Sequence, residues 1–148
     1  MSVVLADPKK YSCMARRGAA LQLKWRLRSK DPVVLNQQQM RWKIVPTDVR
    51  EMIKSNVLIA LSTASLIRPS NATEMAACIA AAELPLKDNW PDLMPTLSDY
   101  VVHLPDEEKE SALEAMAFVC QDMVLIFSLH NQSLLLISNS LSEMRYAS

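Results

Sequence analysis

The stretch Ala76-Ala77-Cys78-Ile79-Ala80-Ala81-Ala82-Glu83-Leu84-Pro85, with Asn89-Trp90-Pro91-Asp92-Leu93-Met94-Pro95-Thr96-Leu97 close behind, decides the fold. Its first half is a helix of small residues, which lets neighbouring helices approach closely. Proline cannot continue a helix interior but fits a first turn. Pro85 therefore ends one helix, a short polar turn follows, and Pro91 opens the next. Two helices joined this tightly lie antiparallel, which is the unit of an α-solenoid. Such arrays act by presenting an extended face to other proteins.

Working outward, the rest of the chain carries the same signature. Met14 to Arg28 has Ala15, Ala19, Leu23 and Leu27 at helical spacing, widened by Ala20 and Leu21. Ser29-Lys30-Asp31-Pro32 breaks it, and a shorter helix runs from Val33 to Val45 with Leu35, Trp42 and Ile44. Pro46-Thr47-Asp48 is a second break, with Thr47 as the expected N-cap of the following helix. Asp48 to Leu61 is amphipathic: Val49, Met52, Ile53, Asn56 or Val57, Ala60 and Leu61 mark one face, and Arg50, Glu51, Lys54 and Ser55 the other. Arg68-Pro69-Ser70-Asn71 reads as a turn and cap before an Ala72–Leu84 helix. Trp90 to Val102 should turn Leu93, Met94, Leu97 and Val101 inward. After Leu104-Pro105-Asp106, a helix from Glu107 to Met123 should bury Leu113, Met116, Phe118 or Val119, and Cys120. Its acidic first turn suits the helix dipole. The Ala-rich helix and this one begin about 35 residues apart, near the period of HEAT-type repeats.

Composition narrows the function classes. There is a single glycine, Gly18, among 148 residues. That opposes a fold built on hairpin turns and leaves no Gly-rich phosphate loop. The three cysteines are far apart, with no Cys-x-x-Cys pair, and His103 and His130 lack ligand-like neighbours, so no metal or other cofactor is expected. Cys78 and Cys120 read as buried small hydrophobes. No secretory signal is visible at the start. Enzymatic chemistry finds no footing: Asp106, Glu107, Glu108 and Glu110 are explained by the dipole, and no nucleophile has a base in a motif.

Net charge is zero, yet residues 1 to 54 hold 12 Lys/Arg against 4 Asp/Glu, and residues 55 to 148 hold 4 against 12. The halves are therefore +8 and −8. Solvated helix faces that happen to differ in sign are one reading of this asymmetry, and a surface that recognises a charged protein partner is the other. Nucleic acid is the weaker candidate, since there is no dense basic stripe or recognition motif. The last segment differs in character. Val124 to Leu141 is 18 residues, of which eight are polar. A membrane span needs about 20 predominantly apolar residues, so no insertion is expected. An irregular last helix covering the end of the stack is the expectation there. Trp42 and Trp90, at helix boundaries, read as core; Trp25, between Lys24 and Arg26, reads as a drifted position, with an exposed partner anchor as the alternative.

Several separated motifs resemble importin beta, the nuclear transport receptor family. Arg17-Gly18-Ala19-Ala20-Leu21-Gln22-Leu23-Lys24, Ser29-Lys30-Asp31-Pro32 and Gln38-Gln39-Met40-Arg41-Trp42 look like its second HEAT repeat. Ala77-Cys78-Ile79-Ala80, Glu83-Leu84-Pro85 and Asn89-Trp90-Pro91-Asp92-Leu93 look like its third. Glu110 to Met116 and Val119-Cys120-Gln121-Asp122 look like the first helix of its fourth. The match runs in register from about residue 14 to 123. It departs at Trp25, where the family carries Asn, in the atypical segment 1–13, and in the divergent apolar tail 124–148.

The resemblance implies an all-α solenoid of HEAT-like antiparallel helix pairs, a truncated piece of the N-terminal region, and a transport function without catalysis. It implies binding of the small GTPase Ran in its GTP form by the second helix of each repeat. By helix order, the Ran-facing positions are then Arg50, Glu51, Lys54 and Ser55 on one helix and Asp92, Thr96 and Asp99 on the other. Nucleoporins and importin alpha are implied as partners of the full-length family member only. Localisation in cytoplasm, nucleus and nuclear pore follows from the same source. The alternative is a fragment that is inert or serves only as a scaffold. With the ends of the stack uncovered, self-association is expected.

Overall fold

A computed structural model describes residues 1–63 and 70–146, apart from a few side chains in the C-terminal segment. Among the described residues there are eight helices and no strand: α1 (Ser2–Ala6), α2 (Cys13–Trp25), α3 (Pro32–Ile44), α4 (Thr47–Leu61), α5 (Asn71–Ala82), α6 (Leu86–Asn89), α7 (Leu93–His103) and α8 (Asp106–Tyr146). The all-α expectation holds.

Local chemistry sets the helix starts. Ser12 Oγ accepts from Ala15 N at the start of α2. Asp31 caps α3 by accepting from Val33 N at 2.8 Å, and Pro32 sits at the first helical position, where its missing N–H costs nothing. Ser70 caps α5 through Thr73 N at 3.1 Å, as the turn-and-cap reading anticipated; Arg68 and Pro69 lie outside the described residues. Thr47 is not the cap expected of it. Pro46 holds that place without a side-chain hydrogen bond, and the Thr47 hydroxyl instead accepts from Arg50 Nη2 at 3.4 Å. Beyond Pro85 the polar turn is itself a short helix, α6, so α7 opens at Leu93, two residues past Pro91.

The helices stack in two rows. Helices α2, α5 and α8 form one, and α4 and α7 the other, with α4 packed on α5 and α7 on α8. The small residues of α5 make the centre possible. Met75, Ala76 and Ile79 are wholly buried, and Ala72, Ala77, Ala80 and Ala82 nearly so. Around them lie Val57, Leu61, Leu93, Leu97, Ala112, Ala115 and Val119. Each large side chain fully withdrawn from water in this way contributes about 1.5–3 kcal/mol. Trp42 and Trp90 are core, at 6 % and 3 % exposure, and Trp25 is outside at 69 %. Helix α1 packs against α2 and α4, with Leu5 buried and Ser2 Oγ accepting from Asn56 Nδ2 at 3.2 Å.

Four expectations about inward faces need correction. Leu113 and Cys120 of α8 are exposed, while Ser111, Ala112, Ala115 and Val119 face α5 and α7. Ala15 and Met52 are also exposed. The last correction concerns the tail. No separate last helix closes the stack: α8 runs unbroken from Asp106 to Tyr146, about 60 Å. Val124, Leu125, Leu134, Leu135 and Leu136 are all exposed along it. No breaker stands between Met123 and Val124, so backbone hydrogen bonding simply continues. Among the described residues, no helix is long and apolar enough to cross a membrane.

Candidate protein-binding face

The candidate residues sit on α4 and α7, which lie side by side in the second row, with Asp92 at the N-cap of α7. Their side chains divide into two groups. Glu51, Ser55, Asp92 and Asp99 are exposed and Thr96 is half-buried. Asp99 lies in the last turns of α7 and pairs with His103, Nδ1 to Oδ1 at 2.9 Å. Four polar side chains thus reach solvent along this row, three of them carboxylates.

Arg50 and Lys54 do something else. The solvent-face expectation for Lys54 is overturned: it is 2 % exposed and wholly engaged inside the protein. Its Nζ donates to Asn89 O at 2.5 Å, pairs with Glu51 Oε1 at 2.5 Å, and lies 3.7 Å from Glu83 Oε1. It stands 6.0 Å from the centre of the Trp90 ring, close enough for a cation–π attraction. Arg50 is half-buried, its Nη1 pairing with Glu83 Oε1 at 3.2 Å and its Nε donating to Val45 O. Glu83 is 3 % exposed and also accepts from Trp42 Nε1 at 2.8 Å. One carboxylate at the end of α5 therefore gathers an indole, a guanidinium and an ammonium from α3 and α4. A buried charge is tolerated when it is paired and hydrogen-bonded in this manner.

Sequence reasoning missed Glu83 as the hub, although it stands inside the quoted Glu83-Leu84-Pro85 motif. The missed signal is spacing. Lys54 lies three and seven residues before Val57 and Leu61, the two deepest positions of α4. It therefore shares their face, with its amine reaching past the apolar layer to Asn89.

A second polar cluster joins α5 to α8. Ser70 Oγ and Thr73 Oγ1 are 2.8 Å apart, Thr73 Oγ1 donates to Ser111 O at 3.1 Å, and Ser70 N donates to Glu114 Oε2 at 3.3 Å. Among the described residues, three titrating groups have displaced pKa values. Burial pushes the Cys78 thiol up, with smaller opposing pulls from Arg28 and Lys24. Burial also raises the Tyr100 phenol, against a hydrogen bond with Ser62. The hydrogen bond from Lys109 to exposed Asp106 lowers that carboxyl. Among the described residues there is no group of three or more His, Cys, Asp and Glu arranged to hold a metal ion.

No protein-family model matches the chain. Two rows of packed helices around an Ala-rich centre, with polar side chains along α4 and α7, define an α-solenoid of HEAT-type helix pairs. Solved structures share both fold and sequence with it. Kap95p in its complex with RanGDP matches with a TM-score of 0.70 and 35% identity, over 80% of this chain and 14% of that one. The Kap95:Nup1 complex matches at 0.69 and 35% over the same shares. The importin subunit beta-1 of Saccharomyces cerevisiae is 35% identical over 124 residues, 82% of this chain and 14% of the relative. Those of Schizosaccharomyces pombe and Arabidopsis thaliana are each 28% identical over 109 residues, and each is covered to 12%. The chain is an importin-beta-like HEAT-repeat segment. It spans about one eighth of the length of the curated relatives it matches.

Proposed function

We propose that this chain is a Ran-binding segment of nuclear import receptor type, working in the cytoplasm and nucleus. The observation that carries the reading is the match at 35% identity and a TM-score of 0.70 to Kap95p, a protein whose binding switches the loops of RanGDP to the GTP-bound conformation. In this reading the second-row helices α4 and α7 meet Ran in its GTP form. Glu51, Ser55, Asp92, Thr96 and Asp99 make the contacts. Arg50 and Lys54 act beneath them: by holding Glu83, Asn89 O and Glu51, they fix α4 against α5 and α6 and so set the spacing of the exposed carboxylates. A nucleoporin partner, as in the Kap95:Nup1 complex, belongs to the same family-level proposal. Residues 14–123 form the receptor-like part, and residues 124–146 extend its last helix.

The discriminating experiment is retention of Ran on the immobilised chain, loaded either with a non-hydrolysable GTP analogue or with GDP. Selective retention of the GTP form, weakened about three- to tenfold by the pair Asp92→Lys and Asp99→Lys, is the expected result. No retention of either form would leave the chain as a scaffold without Ran binding.

A further inference from the structure

We propose that the cleft between the end of α2 and the outer helix α3 is a docking site for an acidic protein segment that carries an apolar side chain among its carboxylates. The cleft holds about 360 Å3 and is mostly apolar, with Leu23, Trp42, Val45 and Ile53 in its walls. It is separate from the Ran-facing positions: of its lining only Ile53 belongs to α4, and none belongs to α7.

Three observations define the occupant. The first is charge. Arg26 and Arg41 are the charged groups of the lining, both exposed, and neither has an ion-pair partner among the described residues. They sit in a stretch, residues 8 to 47, with ten Lys/Arg and Asp31 as its single carboxylate. Nothing in that stretch neutralises them locally, so an incoming carboxylate gains two partners. The second is the Trp25 ring, which stands at the mouth of the cleft, 69 % exposed. Gln38 Nε2 holds the backbone there, donating to Trp25 O at 2.8 Å across the gap between the helices. An exposed tryptophan beside an arginine is the composition that dominates binding energy in protein interfaces. The third is Gln38 itself. Because its amide nitrogen is committed to Trp25 O, its Oε1 is identified as the acceptor, and that atom is buried with no hydrogen-bond partner. Being closed to solvent, it meets a peptide N–H only if the Gln38 side chain turns toward the opening. A basic peptide would be repelled, and a purely apolar one would leave both guanidiniums unused.

The test is fluorescence anisotropy of a short fluorescein-labelled peptide with one phenylalanine flanked by glutamates, titrated with the full chain. Saturable binding is expected, weakening as salt is raised, together with a change in tryptophan emission that Trp25→Phe reduces, the remainder coming from Trp42 in the wall of the cleft. Trp25→Ala should weaken binding about tenfold, and Arg26→Glu with Arg41→Glu about three- to tenfold. Asp92→Lys with Asp99→Lys should leave it unchanged, which separates this site from the Ran face. All these side chains are exposed, and circular dichroism checks that each variant is folded. The proposal is overturned by the absence of binding, by equal affinity for the same peptide with lysines in place of glutamates, or by binding that survives the Trp25 and arginine substitutions.

Discussion

Glu83 joins three helices through the polar contacts of one buried side chain. It is reached by Trp42 Nε1, Arg50 Nη1 and Lys54 Nζ, at 2.8, 3.2 and 3.7 Å. Removing one partner from a buried pair strands the other in low dielectric, which costs about 3–5 kcal/mol. Glu83→Ala should therefore destabilise the chain by about that much, read as a lower denaturant midpoint. Glu51→Ala removes a 59 % exposed carboxylate and should cost about 1 kcal/mol or less. The cysteines give a second readout. Cys13 and Cys120 are exposed, and Cys78 is buried with its pKa raised by desolvation. Only the thiolate reacts, so iodoacetamide should label Cys13 and Cys120 in the native protein and Cys78 only after denaturation. The sign of the pH effect follows. With its folded pKa raised, Cys78 favours the native state fully below its unfolded pKa of about 9. That contribution is lost as pH rises from there through the folded value. Tyr100 acts in the same direction at higher pH. Stability measured by urea titration should fall on the alkaline side.

The cap at Ser70 was legible in the turn before α5, whereas Ser12 and Asp31 were not singled out as caps from the sequence. Ser12, Asp31 and Ser70 each accept from a backbone N–H in the first turn. Ser70 does more, because its hydroxyl also meets Thr73 Oγ1, which in turn donates to Ser111 O on α8. Ser70→Ala should cost about 1–2 kcal/mol, at the upper end for a cap. Ser12→Ala, at an exposed cap, should cost about 1 kcal/mol or less, and comparing the two by thermal melting checks the assignment. Thr47 shows why a cap motif misleads. Its hydroxyl is drawn to Arg50, which is itself anchored on Glu83, a residue from another helix. The inward face of α8 was misjudged for a related reason. The neighbour it meets is the alanine surface of α5, so small Ala112 and Ala115 pack there and larger Leu113 turns out.

At the scale of the whole molecule, α8 projects exposed Val124, Leu125, Leu134, Leu135 and Leu136. Contiguous apolar surface beyond about 300–600 Å2 drives association. The chain is expected to self-associate in the micromolar range, and ending it after Met123 should shift it toward monomer in sedimentation. An intact chain that remains monomeric throughout that range would contradict this. The all-helical solenoid, the turns at prolines and the Ala-rich centre were determined by the sequence itself. They follow from backbone rules, namely proline's missing donor, near-absent glycine and apolar periodicity, which act within a few residues. Three features needed the tertiary structure: the burial of Lys54, the hub at Glu83 and the cleft beside Trp25. Each joins residues tens of positions apart, and a lysine's spacing along its helix does not disclose whether water or a distant carboxylate waits at its end. Only the packed neighbours supply that.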